Sequence, residues 1–510
     1  MNTNQTTTQQ PPVKPVQTPV TPLSGASSGQ NEVGYVVSSR EFLVYLDGFP
    51  SIRVNDMVES DKGARGWVNS ISPEKIEVLM LDSARIAPKQ LFKKLTTRLS
   101  LSVGDFLLGR SINPLGIPID GKGLLSKTKT NTVLELEKNA PGIETREFIS
   151  KQFLTGITLI DTLIPLGRGQ RELIMGDAHS GKTGFLIDII INQKNTGVIC
   201  VIALIGKPSV AVKNLIDVLK NNKALDYTVV IATSSSDPAP LIFLTPKTAF
   251  TVAEYFQGKG KDVLLILDDL GAHAKIYREI ALLGNKAPGR ESYPGDIFYQ
   301  HAHLLERGGN FLPTAGGGSI SALPVIELNL NDFTTLIPTN LMSMTDGHLL
   351  FKSSMRSQGQ IPAIDISLSV SRVGRQTQNQ VSNLLSTKVR QTLSEAADLE
   401  TIARFSSELP PETQLTLRRK DLITEILKQD ALTSIPKQIQ LILLALPFTT
   451  FFKDKNKPFI EKYKDVIIKA FETDPQLLPI TKALDQYKSE DELIKALEGA
   501  GPILSKLCPV

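Results

Sequence analysis

The rhythm of hydrophobic and polar positions changes along the chain, and each change predicts a different kind of element. From residue 33 to about 101, short apolar runs alternate with Gly and Asp turns. Examples are Gly34-Tyr35-Val36-Val37, Phe42-Leu43-Val44-Tyr45-Leu46 before Asp47-Gly48, and Ile76-Glu77-Val78-Leu79-Met80. Short, closely spaced strands of this kind predict a small closed β-barrel. After Gly104, strand-like runs at 198–205, 228–231 and 263–267 alternate with helical segments. That alternation predicts βαβ units and a mostly parallel sheet, and continuous apolar strands predict helices on both its faces. Beyond about residue 384 the strand pattern stops. Phe459, Tyr463, Ile467 and Phe471 recur every fourth residue, and 491–497 also reads as helix, so the C-terminal part is expected to be helical. The expected organisation is a low-complexity extension at 1–32, a barrel at 33–103, an α/β domain at 104–384 and a helical domain at 385–510.

Composition narrows the classes. The chain has 510 residues, enough for about three domains, with 41% hydrophobic and 21% charged residues. The longest apolar stretch, 441–452, contains Pro447 and falls short of the roughly 20 residues a membrane span needs. Formal net charge is +4, and no basic block appears, which argues against a nucleic-acid partner. Cys200 and Cys508 are the only cysteines, too few and too far apart for a disulfide framework or a zinc site, and Cys200 lies in an apolar run where a buried thiol is expected. Residues 1–30 are mainly Gln, Asn, Thr, Ser and Pro, with Lys14 their one charged residue. Such a segment cannot offset its ordering entropy by burial and is expected to be disordered, and it has no apolar core that would make it a signal peptide. A reducing, cytoplasmic compartment fits these features.

The sharpest local signal is Gly176-Asp177-Ala178-His179-Ser180-Gly181-Lys182-Thr183, which matches G-x-x-x-x-G-K-[ST] between a strand-like and a helix-like segment. Glycines let the backbone N–H groups wrap around phosphate oxygens. Lys182 reaches the β- and γ-phosphates, the Thr183 hydroxyl ligates Mg²⁺, and the following helix turns its positive end to the anion. His179 is read as a loop side chain near the nucleotide, since no ligand-spaced partner accompanies it. The second half of such a site is an apolar strand ending in a carboxylate, and 263–268 supplies it. Asp268 is expected to hold water on Mg²⁺, and Asp269 to be structural. Hydrolysis also needs a group that orients or deprotonates water, and the natural place is the end of the strand beside the loop. There the chain has Gly206-Lys207. Lysine, with an unperturbed pKa of about 10.4, is a poor base. Lys207 can still bind phosphate, so these residues suit holding MgATP better than cleaving it.

Longer motifs then carry a family resemblance. Pro165-Leu166-Gly167-Arg168-Gly169-Gln170-Arg171-Glu172, Pro288-Gly289-Arg290-Glu291-Ser292-Tyr293-Pro294-Gly295-Asp296, Ile337-Pro338-Thr339-Asn340 with Ser343-Met344-Thr345-Asp346-Gly347, and Ser369-Val370-Ser371-Arg372-Val373-Gly374 resemble stretches of F-type ATP synthase α subunits. The resemblance runs from about residue 33 to the C-terminus. It implies a β-barrel, a P-loop (RecA-like) α/β domain and a helical domain. It also implies a non-hydrolytic ATP-binding subunit that alternates with catalytic β-type subunits in a hexamer around a central γ-type rotor. The chain would meet the membrane only through other subunits, at its cytoplasmic face. By the same resemblance Arg372 is an arginine finger reaching into a neighbouring β-type active site, Ser343 borders that site, and Gln429 is what remains of two glutamines near the nucleotide. Departures accompany the likeness. Ala178-His179 stands where the family usually has Arg-Gln, Ile361 where an Arg often lines the base pocket, and Lys207 where α subunits carry Gln and β subunits Glu. Residues 1–30 lack the amphipathic helix that docks α on the peripheral stalk. The implied protein is a divergent paralogue, of the kind expected in F-type-like ATPases of wall-less, mycoplasma-type bacteria that drive movement or transport. The alternative is a self-sufficient homohexameric ATPase of the export-apparatus or transcription-termination type, which would need a base not found at Gly206-Lys207.

Overall fold

The structure, a computed structural model, describes residues 32–125, 131–330, 332–403 and 409–509. The expected disordered extension at 1–30 lies outside the described residues. The architecture is an N-terminal barrel, a central α/β domain and a C-terminal helical domain.

The barrel is built from β1 (Val33–Arg40), β2 (Leu43–Asp47), β3 (Asp56–Ser60), β4 (Arg65–Ile71), β5 (Ile76–Met80) and β6 (Leu91–Arg98), closed in the order β1-β2-β5-β4-β3-β6. The period-two alternation is used on both faces. Val36, Val44, Leu46, Val58, Val68, Val78, Met80 and Phe92 fill the interior. Their alternates Leu43, Tyr45, Met57, Trp67 and Leu79 join the core of the next domain. Trp67 stacks on Phe243 with ring centroids 6.2 Å apart, so the chain's one tryptophan fastens the barrel to its neighbour.

The central sheet contains β7 (Ser111–Ile112), β8 (Glu172–Asp177), β9 (Ile199–Lys207), β10 (Thr228–Ser234), β11 (Val263–Asp268), β12 (Ser319–Leu328), β13 (Gly347–Phe351) and β14 (Val370–Ser371), in the order β14-β13-β8-β12-β11-β9-β10-β7. All these pairings are parallel except β13 with β14. The two faces divide the apolar run of each strand. Cys200, Ile202, Leu204, Leu264 and Ile266 face a core continuous with the C-terminal helices, while Val201, Ala203, Ile205, Leu265 and Leu267 face the core shared with the barrel. Crossover helices α1 (Lys182–Asn192), α2 (Ser209–Asn221), α3 (Ala239–Gln257) and α4 (Leu270–Leu283) connect the strands.

The helical domain begins with Gln380–Ala403 and includes Pro411–Leu427, Lys437–Ala445, Lys457–Thr473, Glu490–Glu498 and Gly501–Leu507. The four-residue repeat falls on Lys457–Thr473, where Phe459, Ile467 and Phe471 are buried and Tyr463 packs beside them. The long apolar stretch is domain core, with Leu441 to Leu446 and Phe452 buried. Among the described residues no helix is long and apolar enough to cross a membrane.

One buried cation ties the linking segment to the sheet's helices. Arg307 is 2% exposed and forms a 2.6 Å ion pair from Nε to Glu254 Oε1 on α3. It also donates to Thr251 Oγ1 at 3.1 Å and to the Leu136 carbonyl at 3.0 Å. Removing one partner of such a pair leaves the other charge desolvated. Arg307→Ala is expected to cost about 3–5 kcal/mol of stability, read by denaturant titration.

Candidate functional site

The carboxyl ends of β8, β9 and β11 meet at one edge of the sheet, as an open parallel sheet with crossover helices requires. At the end of β8 the chain turns sharply into α1. Gly176 lies so close to β13 that a Cβ there would stand 2.3 Å from the Phe351 carbonyl oxygen. Asp177 accepts a 3.1 Å hydrogen bond from Ser353 Oγ, and Ser180 Oγ donates to the Asp177 carbonyl at 2.8 Å. Ala178 and His179 are exposed at the loop's crest, while Ser180 is buried. Gly181, at φ 102°, precedes α1 without a side-chain cap, so the helix's first N–H groups are left for an anion.

Lys182 folds back inside this loop. Its Nζ donates to the Gly176 carbonyl at 2.7 Å and also to the Asp177 carbonyl. Burial lowers its pKa, opposed by the carboxylates of Glu327, Asp268 and Asp269. Glu327 was not anticipated from sequence. It is set beside the loop by the parallel register Gly176↔Glu327 between β8 and β12, and a lone exposed Glu in an apolar strand gave the only hint.

Lys207 at the end of β9 reaches the carboxylates ending β11. Its Nζ stands 2.8 Å from Asp268 Oδ1 and 3.3 Å from Asp269 Oδ2. Burial alone would lower the Lys207 pKa, but the two carboxylates outweigh it and hold the ammonium above its ordinary value. Burial likewise raises Asp268, with Lys207 opposing. Asp269 has the structural task expected of it: Oδ1 accepts from the Ala272 N–H and caps α4.

The structure thus gathers residues 176–183, Lys207 and Asp268 at one edge. It does not bring Arg372, Ser343 or Gln429 to the loop. Arg372 is exposed, and its N–H donates to the Asp346 carbonyl at 3.0 Å. Asp346 in turn holds Arg171 in a 2.9 Å ion pair. Ser371 beside it donates to the Pro165 carbonyl and accepts from Gln170, whose amide also meets the buried Glu172 carboxylate at 2.7 Å. Burial pushes Glu172 well above the usual carboxylate range, against that hydrogen bond. The register Ser371↔Gly347↔Glu172 sets Arg372 at the amino end of β8. Glu172 and Gly176 are separated by about 13 Å of strand. Ser343, exposed near the end of the helix Leu336–Met344, lies three residues before Asp346 and therefore at the Arg372 end. Gln429 is buried. Its Oε1 accepts from Thr158 N and Oγ1, and its Nε2 donates to the carbonyls of Gly156 and Thr433, so the amide is engaged within the chain. Arg356, a residue sequence reasoning passed over, lies against the loop at Gly181.

For a divalent cation, the Thr183 hydroxyl at the exposed start of α1 and the Asp268 carboxylate offer the hard oxygen donors that Mg²⁺ takes together with phosphate oxygens. Lys207 shares Asp268. Among the described residues no group of three or more His, Cys, Asp or Glu forms a metal cage.

The family model described as ATP synthase alpha/beta family, nucleotide-binding domain, matches residues 156–371. The model for the ATP synthase alpha/beta chain, C terminal domain, matches residues 378–500. A relative from Mesomycoplasma hyopneumoniae (strain 7448), named ATP synthase subunit alpha, is 38% identical over 89% of this chain and 89% of its own length. Proteins of the same name from Metamycoplasma arthritidis and Sulfurovum sp. are 36% and 37% identical, over 92% and 90% of this chain and 88% and 94% of their own lengths.

The close approach at Gly176 gives a direct test of the loop's geometry. Gly176→Ala must push β13 away and is expected to cost about 1–3 kcal/mol in thermal or denaturant unfolding. Gly184→Ala, in α1 with open space around the added methyl, is expected to be neutral or to stabilise by up to about 1 kcal/mol.

Proposed function

We infer that this chain, which belongs to the ATP synthase alpha/beta family, is the ATP-binding but non-hydrolytic subunit of a hexameric rotary F-type ATPase. The observation that carries the reading is the ion-paired cluster of Lys207 with Asp268 and Asp269. A γ-phosphate held by Lys182 would have a protonated lysine beside it, where a water-activating base would otherwise stand. An ammonium attracts phosphate but takes no proton from water. In this reading residues 176–183 wrap the phosphates, and Thr183 and Asp268 would hold Mg²⁺, which would supply countercharge to those phosphates.

The second part of the reading concerns Arg372. A strand's length separates it from the chain's own phosphate loop, so a phosphate it serves belongs to a neighbouring subunit. Its exposure, together with the Asp346–Arg171 and Ser371–Pro165 anchors beneath it, supports a guanidinium presented outward on a fixed base. We assign it as a finger toward a catalytic β-type subunit, with Ser343 bordering the same contact. The planar guanidinium suits charge developing on a transferring phosphoryl group. A central γ-type rotor completes the assembly, which makes contact with the membrane through other subunits. The Gln- and Pro-rich extension supports a divergent member of this class, attached differently from an ordinary synthase and driving movement or transport.

Glu327 favours one competing reading, a chain that hydrolyses ATP by itself with Glu327 as base. The purified chain is expected to bind MgATP without turnover, as read by calorimetry and phosphate release. Robust turnover abolished by Glu327→Gln would establish the competing reading instead. Lys182→Ala is expected to weaken ATP binding about 10- to 100-fold, the worth of a charge-assisted contact. In the hexamer reconstituted with the β-type partner, Arg372→Ala is expected to lower turnover by about 10³–10⁵ while assembly persists by size-exclusion chromatography. Unchanged turnover would remove the finger assignment.

A further inference from the structure

We propose that Arg356 is a second phosphate-binding cation of this site, gripping the phosphate chain of a nucleoside di- or triphosphate from outside the loop that Lys182 occupies from within. The proposal rests on the nucleotide reading above and adds to it a residue that the loop motif does not contain. Arg356 lies on the short helix Ser353–Ser357, which follows β13 directly. One contact ties that helix to the loop, and an ion pair fixes the residue before it. Ser353 Oγ donates to Asp177 Oδ2 at 3.1 Å, and Lys352, just before the helix, pairs with Asp365 at 2.6 Å. From this base the Arg356 side chain reaches the loop's last glycine. A Cβ on Gly181 would stand 2.3 Å from Arg356 Nη1, and Gly181 already has φ 102°. The positive φ is what favours glycine at 181, and the guanidinium lies directly against it.

The charges around this contact point to an anion. Arg356 is exposed and makes no ion pair with a described residue. It sits where α1 begins, so its positive charge faces the positive end of a helix. Lys182 adds a further cation within the same loop. Carboxylates share the site: Asp177 is bonded to Ser353, and Glu327, Asp268 and Asp269 lie near Lys182, while the exposed Arg356 guanidinium stands against Gly181. The loop's own side chains provide only Lys182 as a lysine or arginine, and that ammonium is turned onto the carbonyls of Gly176 and Asp177. A guanidinium can supply two parallel N–H donors to phosphate oxygens, which an ammonium cannot. Arg356 thereby provides the cation that Ala178, at the loop's crest, does not.

The test uses the full chain, wild type against Arg356→Gln and Arg356→Lys, titrated with ATP, ADP and adenosine by calorimetry at two salt concentrations. The expected result is a loss of about 10- to 100-fold in ATP and ADP affinity for Arg356→Gln, with a weaker salt dependence and unchanged adenosine binding. Arg356→Lys keeps the charge and should recover part of the loss. If wild type binds ATP and Arg356→Gln binds it equally well, the clamp is overturned and the nucleotide reading survives. Equal losses for ATP and adenosine also overturn it, since they would place Arg356 on the base rather than the phosphates. A folded wild-type chain that binds neither ATP nor ADP overturns the nucleotide reading and the clamp together.

Discussion

A parallel sheet buried on both faces needs cover from two directions, and this requirement organises the chain. Strands β8 to β13 each send alternate side chains into two separate cores. One core runs on into the C-terminal helices, and the other runs on into the outer face of the barrel. The three units are therefore coupled through the sheet. Fully burying a Leu or Phe side chain is worth about 1.5–3 kcal/mol, so faces lined with many such residues hold the flanking units firmly in place. The loop between β8 and α1 inherits that rigidity, because β8 lies between β13 and β12 and cannot shift alone.

The same sheet separates two kinds of chemistry. Its carboxyl edge carries Lys182, Lys207, Asp268, Asp269 and Glu327, a cluster in which cations and carboxylates balance one another before any ligand arrives. Its amino edge carries Arg372, exposed, with its backbone held through Asp346 and its charge near the buried Glu172 carboxylate. The two groups of residues therefore lie at opposite edges of the sheet. The strand between them is too long for one arginine to serve both.

Much of this was legible in the residues. The period-two runs became barrel strands, the apolar runs at 198–205 and 263–267 became β9 and β11, and the four-residue repeat from Phe459 to Phe471 became a buried helical stripe. The G-x-x-x-x-G-K-T motif marked the turn because its glycines are required by backbone geometry, which sequence records directly. What was not legible depended on contacts across strands. Glu327 becomes part of the site only through its register with Gly176. Arg356 becomes part of it only because β13 lies beside β8. The Gln429 amide is engaged by Thr158 and Gly156, which are far away in sequence, and by the nearby Thr433.

The sequence by itself determined the element types, the order of the three units, the glycine-rich turn at 176–183 and a lysine at the end of β9, because these follow from local periodicity, backbone freedom and side-chain chemistry. Tertiary structure alone decided that Lys207 is spent on two carboxylates, that Trp67 fastens the barrel, that Arg372 lies a strand's length from its own loop and that Arg356 lies against Gly181. Each of these depends on which strand pairs with which, and at what register. Pairing between distant segments is set by the burial of whole faces, and no short window of sequence contains it.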